Sequence, residues 1–183
     1  MRMKKMQHSA RVALGIIFAC MSAAGCCNAA DKTISNTEIG FEIILPEAWV
    51  WNEKPADGSV PRGESRVAEG AASFAVLNIS VHVLKEGTML KDFADKAIAE
   101  QKKLKNYAAE KEVELKLGGL DAVKITFLYN SAKNDSRSKC EAYFVAIDQR
   151  IYLIRAGALK DDYDKYIKEI DGIVKTFKPA PAK

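Results

Sequence analysis

The sequence predicts an α+β fold: a three-layer α/β/α sandwich with a mainly antiparallel central sheet and two main helices. Three observations predict it. Successive strand-like runs are joined by short turn signals, which suits antiparallel neighbours better than crossover connections. The run at 141–147 is apolar on both faces, with Tyr143, Val145 and Ile147 on one and Ala142, Phe144 and Ala146 on the other, so it belongs in the middle of a sheet covered twice. Two stretches, 88–107 and 161–177, change from period two to helical spacing.

The chain opens with a targeting segment. Arg2, Lys4, Lys5 and Arg11 give a positive start, and "VALGIIFACMSAAG" is an apolar run of 14 residues. That is short of the roughly 20 residues a bilayer-spanning helix needs, so residues 1–25 read as an export signal and are set aside from the fold. The run closes on "SAAGC", which resembles a bacterial lipobox: small residues Ala24 and Gly25 precede Cys26, the cysteine that would receive the lipid. Ala23 departs from that pattern, where leucine is usual. The alternative is ordinary signal-peptidase cleavage after Ala29 or Ala30.

Loss of the signal changes the electrostatics. The whole chain carries 28 basic and 24 acidic residues, and the four basic residues of the signal leave the two signs equal. The basic isoelectric point therefore belongs to the export signal, and nothing indicates a nucleic-acid partner. The remainder suffices for one domain. Of the four cysteines, Cys20 departs and Cys26 is acylated, leaving Cys27 and Cys140. No disulfide framework is present. A free, buried thiol is expected at Cys140, with a Cys27–Cys140 bridge as the other option.

Residues 26–38 read as the lipidated cysteine and a polar tether, the 11 residues of 28–38 reaching roughly 35 Å at full extension. "GFEIILP" is a short strand closed by Pro46. "SFAVLNISVHVLK" alternates, with Ala75, Leu77, Ile79, Val81 and Val83 on one face. The helix at 88–107 puts Leu90, Phe93, Ala94, Ala97, Ile98, Gln101 and Leu104 on one stripe, with Thr88 placed to cap it. Strands follow at "EVELKL", ended by Gly118 and Gly119, at "LDAVKITFLYN", at "CEAYFVAI" and at "RIYLIRAGA". The last helix runs through Tyr163, Tyr166, Ile167, Ile170, Ile173, Val174 and Phe177 behind an acidic start. Residues 179–183 form a Pro-rich tail.

"FEIILPEAW", "LGGLDAVKITF", "AYFVAIDQRIYLIRAGA" and "YIKEIDGIVKTF" together resemble the PsbP-like superfamily, which includes bacterial DcrB-type envelope lipoproteins. The resemblance spans residues 39–178. It implies an antiparallel sheet flanked by helices on both sides and no shared catalytic residues. Its members serve as assembly factors, photosystem accessory subunits or envelope proteins, and no photosystem or metal motif carries over to this chain.

Few residues of the sequence point to chemistry. After signal removal His82 is the only histidine, which excludes a multi-histidine zinc site and leaves one candidate base for a nucleophile such as Cys140. A structural histidine is the simpler reading. Asp161, Asp162 and Asp164 lack the glycine and distal glutamate of a calcium loop, so they are expected to serve the helix start. "LGGLD" lacks the Lys-Ser/Thr of a phosphate loop and reads as a hairpin turn. Lys102, Lys103 and Lys105 form either a solvated helix face or a contact for anionic lipid. Trp49 and Trp51 stand before a loop rich in Gly, Pro and Ser, so they either bind a partner or pack together on one strand face.

The expectation is a non-enzymatic, lipid-anchored binding or assembly module outside the cytoplasm, in a bacterial envelope. It has no catalytic, metal or cofactor residues, its membrane contact is the lipid on Cys26, and an envelope protein is a partner candidate. A small-ligand carrier with a pocket between sheet and helix is the alternative, and an exported hydrolase using His82 ranks last.

Overall fold

The computed structural model describes residues 31–54, 61–65, 75–132 and 134–180. The elements are β1 (Lys32–Asn36), β2 (Phe41–Leu45), β3 (Trp49–Asn52), β4 (Arg62–Ser65), β5 (Val76–Val83), α1 (Leu90–Gln101), β6 (Ala108–Leu117), β7 (Leu120–Asn130), β8 (Arg137–Ile147), β9 (Arg150–Leu159), α2 (Tyr163–Lys175) and β10 (Lys178–Pro179). Seven strands form one sheet in the order β3-β4-β5-β9-β8-β7-β6, and β1-β2-β10 form a second, smaller sheet. Every pairing is antiparallel. The expected α+β class therefore holds. The doubly apolar run is the central part of β8, buried continuously from Glu141 to Val145 beside the middle strand β9.

Side-chain parity shows that the helices lie on opposite faces. Ile170, Ile173 and Val174 of α2 pack with Tyr143, Val145, Tyr152 and Ile154. Ala94 of α1 packs with Ala142, Phe144, Ile151 and Leu153, the intervening positions of the same two strands. Because successive strand residues alternate in direction, these two sets line opposite faces. The small sheet adds to the α2 layer: Phe41 stacks on Phe177, which meets Tyr152 edge-on, and the Tyr152 hydroxyl donates to the Gly40 carbonyl at 2.7 Å.

Turn chemistry explains the tightest hairpin. Leu117 pairs with Leu120, and Gly118 and Gly119 between them have φ of 59° and 87°, a backbone region that favours glycine.

Four local expectations are corrected. The segment read as tether contains β1, because Ile34 enters the core and the strand pairs with β2 along its whole length. Thr88 does not cap α1; its N–H closes a turn on Lys85, and the helix begins one residue later than that cap requires, after Met89. Asp162 occupies the first-cap position of α2, but its carboxylate pairs with Lys165 and caps nothing. Strand β4, "RGES", was hidden in an apparent loop, having no apolar residue to mark it; it forms by pairing between β3 and β5.

Gly157 and Gly172 give contrasting tests of packing. A Cβ on Gly157 would stand 2.4 Å from the Cys140 sulfur and 2.6 Å from the Lys139 carbonyl, whereas one on Gly172 meets nothing within 4 Å. Gly157→Ala should destabilise the domain by about 1–3 kcal/mol through overpacking. Gly172→Ala should stabilise it by about 0.5 kcal/mol through helix propensity. Urea denaturation of both variants checks the sign of each change.

Cys140 is a free thiol. Burial, the largest influence, pushes it up to about 11 from an ordinary value near 9.0. Its folded value thus lies above its unfolded one, so the contribution is fully present below pH 9 and is lost as pH rises toward 11. Part of the residue remains accessible, which reduces the expected loss to about 1 kcal/mol by pH 10. Urea midpoints measured from pH 8 to 10 should fall less steeply in Cys140→Ala than in the native protein; equal slopes would contradict this account of the thiol.

Candidate functional site

The central sheet is about twice as long as the helix that covers one of its faces. At roughly 1.5 Å per residue α1 extends about 18 Å, while β8 at roughly 3.3 Å per residue extends about 36 Å. Phe93 near the start of α1 packs on Phe144 and on the His82 ring, so the helix covers the His82 end of this face. Past its C-terminus the face is open as a cleft of about 700 Å³.

The floor of this cleft comes from Phe127, Tyr129, Ser138, Cys140, Arg155 and Gly157, with Asn78 at the β5 side and Gln101 and Leu104 at the helix end. Gly157 lies opposite Cys140, which allows the thiol to sit against the sheet. Arg155 projects from the middle strand, its cross-strand neighbours being Asn78 and Ala142. It is exposed, no carboxylate pairs with it among the described residues, and no Asp or Glu lines the cleft. Its positive field reaches Cys140, Tyr129 and His82, pulling each downward as a secondary influence. Burial dominates at all three: it lowers His82 and pushes Tyr129 up to about 12.

Gln101 is 4% exposed, and both atoms of its carboxamide are buried without a hydrogen-bond partner among the described residues. Each missing bond costs about 1–3 kcal/mol relative to a satisfied group.

The opposite face holds a second, smaller groove of about 460 Å³ under the start of α2. Four of its charged residues form ion pairs with one another. Glu141, 4% exposed, accepts from Lys124 at 2.5 Å and from the Tyr143 hydroxyl at 2.6 Å. That hydroxyl also lies 3.1 Å from Asp171 of α2, and Lys139 pairs with Glu110 at 2.8 Å while standing over the Tyr163 ring. Burial, then the Glu141 carboxylate, drives Tyr143 and Tyr163 far above the ordinary tyrosine range. Neutral tyrosines and closed ion pairs make this cluster a clamp between α2 and the sheet.

The residues singled out by sequence disperse. His82 pairs with Ile151 on β9, while Cys140 pairs with Gly157, six residues along the same strand. At roughly 3.3 Å per residue that separates them by about 20 Å, too far for a nucleophile and its base. His82 is exposed, with Ser80 Oγ 3.4 Å from its Nε2. Among the described residues no group of three His, Cys, Asp or Glu is arranged to hold a metal ion. Lys103 pairs with Glu100 and Lys105 with Asp135.

Trp49 and Trp51 do share one strand face, but it is turned inward. Trp49 is 4% exposed, Trp51 packs edge-on against Phe41 at 5.8 Å, and Gly63 leaves room for both rings. Trp49 is therefore core and offers no surface to a partner. Cys26 and Cys27 lie outside the described residues, and no described helix is long and apolar enough to cross a membrane. Arg155 and Glu141 escaped the sequence reading, although each is a charge within an otherwise apolar strand, which was the available signal.

No family model and no curated protein matches the sequence. Solved structures do. LpqN, involved in cell envelope biogenesis of Mycobacterium tuberculosis, superposes with a TM-score of 0.63 at 14% identity, over 83% of this chain and 91% of that one. The cyanobacterial PsbP (CyanoP) of Synechocystis sp. PCC 6803 gives 0.59 at 12% identity, over 86% and 97%. The Saccharomyces cerevisiae Ran-binding protein Mog1p gives 0.54 at 8%, over 84% and 97%. The chain thus shares the fold of these PsbP-like and Mog1p proteins.

Proposed function

We propose that this chain is a lipid-anchored, extracytoplasmic binding module of the cell envelope, without catalytic activity of its own. The observation that carries the binding role is the cleft beside α1: its volume of about 700 Å³ lies within the roughly 300–1,000 Å³ of small-molecule sites, and its walls mix apolar surface with uncommitted polar groups. The anchor rests on the "SAAGC" pattern at Cys26. The fold shared with LpqN, a protein of envelope biogenesis, supports the location.

Because β1 begins at Lys32, only residues 27–31 separate the lipid from the folded domain, a reach of roughly 18 Å. The domain would therefore work against the membrane surface, where an envelope protein or a small solute released near the bilayer is accessible to it. The carrier role is favoured over assembly by the cleft itself.

Protein purified from native membranes should carry two or three acyl chains on Cys26, enough for stable anchoring where one chain is marginal. Cys26→Ser should move it from the detergent to the aqueous phase without changing its melting temperature. An unmodified amino terminus at Ala30 or Asp31 would overturn the anchor. Native mass spectrometry should detect a small molecule travelling with the domain, lost in variants that fill the cleft.

A further inference from the structure

We infer that the α1-side cleft recognises a small carboxylate carrying a neighbouring amide, as the free C-terminus of a short peptide does, with Arg155 taking the carboxylate and Gln101 the amide. The inference rests on the cleft being a binding site and adds the chemistry of its ligand. Arg155 is the only charged residue among those lining the cleft, and it lacks a carboxylate partner among the described residues. One guanidinium balances one negative charge and presents paired donors that match the two oxygens of a carboxylate. Among the described residues that line the cleft, a phosphate dianion would find no second cation.

The surroundings specify the rest. Gln101 has both a donor and an acceptor without partners, and a peptide unit offers the complement of both. Asn78, across the strand pair from Arg155, supplies a second carboxamide. The end of α1 does not compete with the anion for the guanidinium donors: its carbonyls at Ile98, Glu100 and Gln101 already accept from the N–H groups of Lys102, Lys103 and Leu104. Phe127, Tyr129 and Leu104 provide apolar surface for a side chain.

Calorimetric titration of the full mature protein in detergent, with N-acetyl-trialanine as free acid and as C-terminal amide, tests this. The acid should bind at least tenfold more tightly, and inorganic phosphate should not compete. Arg155→Ala should abolish the difference, and Arg155→Lys should restore part of it. Gln101→Leu provides the second arm: it should raise the melting temperature, because a buried unsatisfied amide is removed, while weakening the acid peptide severalfold. A purely structural glutamine would change stability without changing affinity. Equal binding of acid and amide, or unchanged binding in Arg155→Ala, overturns the carboxylate assignment while leaving the cleft a binding site. Heat from neither peptide overturns the ligand class, and the small-molecule detection by native mass spectrometry then decides the broader reading separately.

Discussion

Two neighbouring strands that are apolar on both faces impose the architecture. β8 and β9 bury consecutive residues, so neither face of the sheet between them can meet water without exposing large side chains. Each face has to be covered by something else in the chain. On one side the cover is α2 together with the β1-β2-β10 sheet, which brings the first and last described strands into one layer. Tyr152 and Thr176 fix that layer in place: the tyrosine hydroxyl reaches Gly40, and the threonine hydroxyl accepts from the Ile44 N–H at 2.8 Å. These contacts link residues more than a hundred positions apart, and the ordering of the small sheet depends on them.

The two covers differ in extent, and the difference leaves one face closed and the other with a cleft. The charge buried under α2 is balanced, with Glu141 held by Lys124 and Tyr143, so that cluster adds rigidity to the face. Breaking such a buried pair leaves one charge without a partner, which is strongly destabilising. On the other face α1 ends early. Among the described residues, Arg155 there is exposed and has no carboxylate partner, Gln101 is buried and unsatisfied, and the two line one cleft. An apolar replacement for Gln101 would suit the free domain better, since it would leave no buried amide without a partner.

Much of the fold was legible because alternation and helical spacing are local and their periods differ. β2, β5, β7, β8, β9 and both helices follow from those patterns, as does the central place of β8. The hairpin at Gly118 and Gly119 follows from backbone sterics alone. Lipidation at Cys26 is likewise an expectation of local sequence, since it depends on the residues around the cysteine and on nothing in the fold.

Only the tertiary structure decided the rest. β1 and β4 contain too few apolar residues to be recognised, and they become strands because neighbours supply their hydrogen bonds. Trp49 and Trp51 could face a partner or the core; Phe41 and Gly63, distant in sequence from one another, placed them inward. His82 and Cys140 share a face, yet the register across β9 sets them far apart. The cleft is of the same kind: it arises where a short helix stops over a long sheet, so that Gln101 and Arg155 line one space. Local sequence determines which residues turn inward or outward along each element, whereas strand register and the length mismatch between layers determine which of them meet.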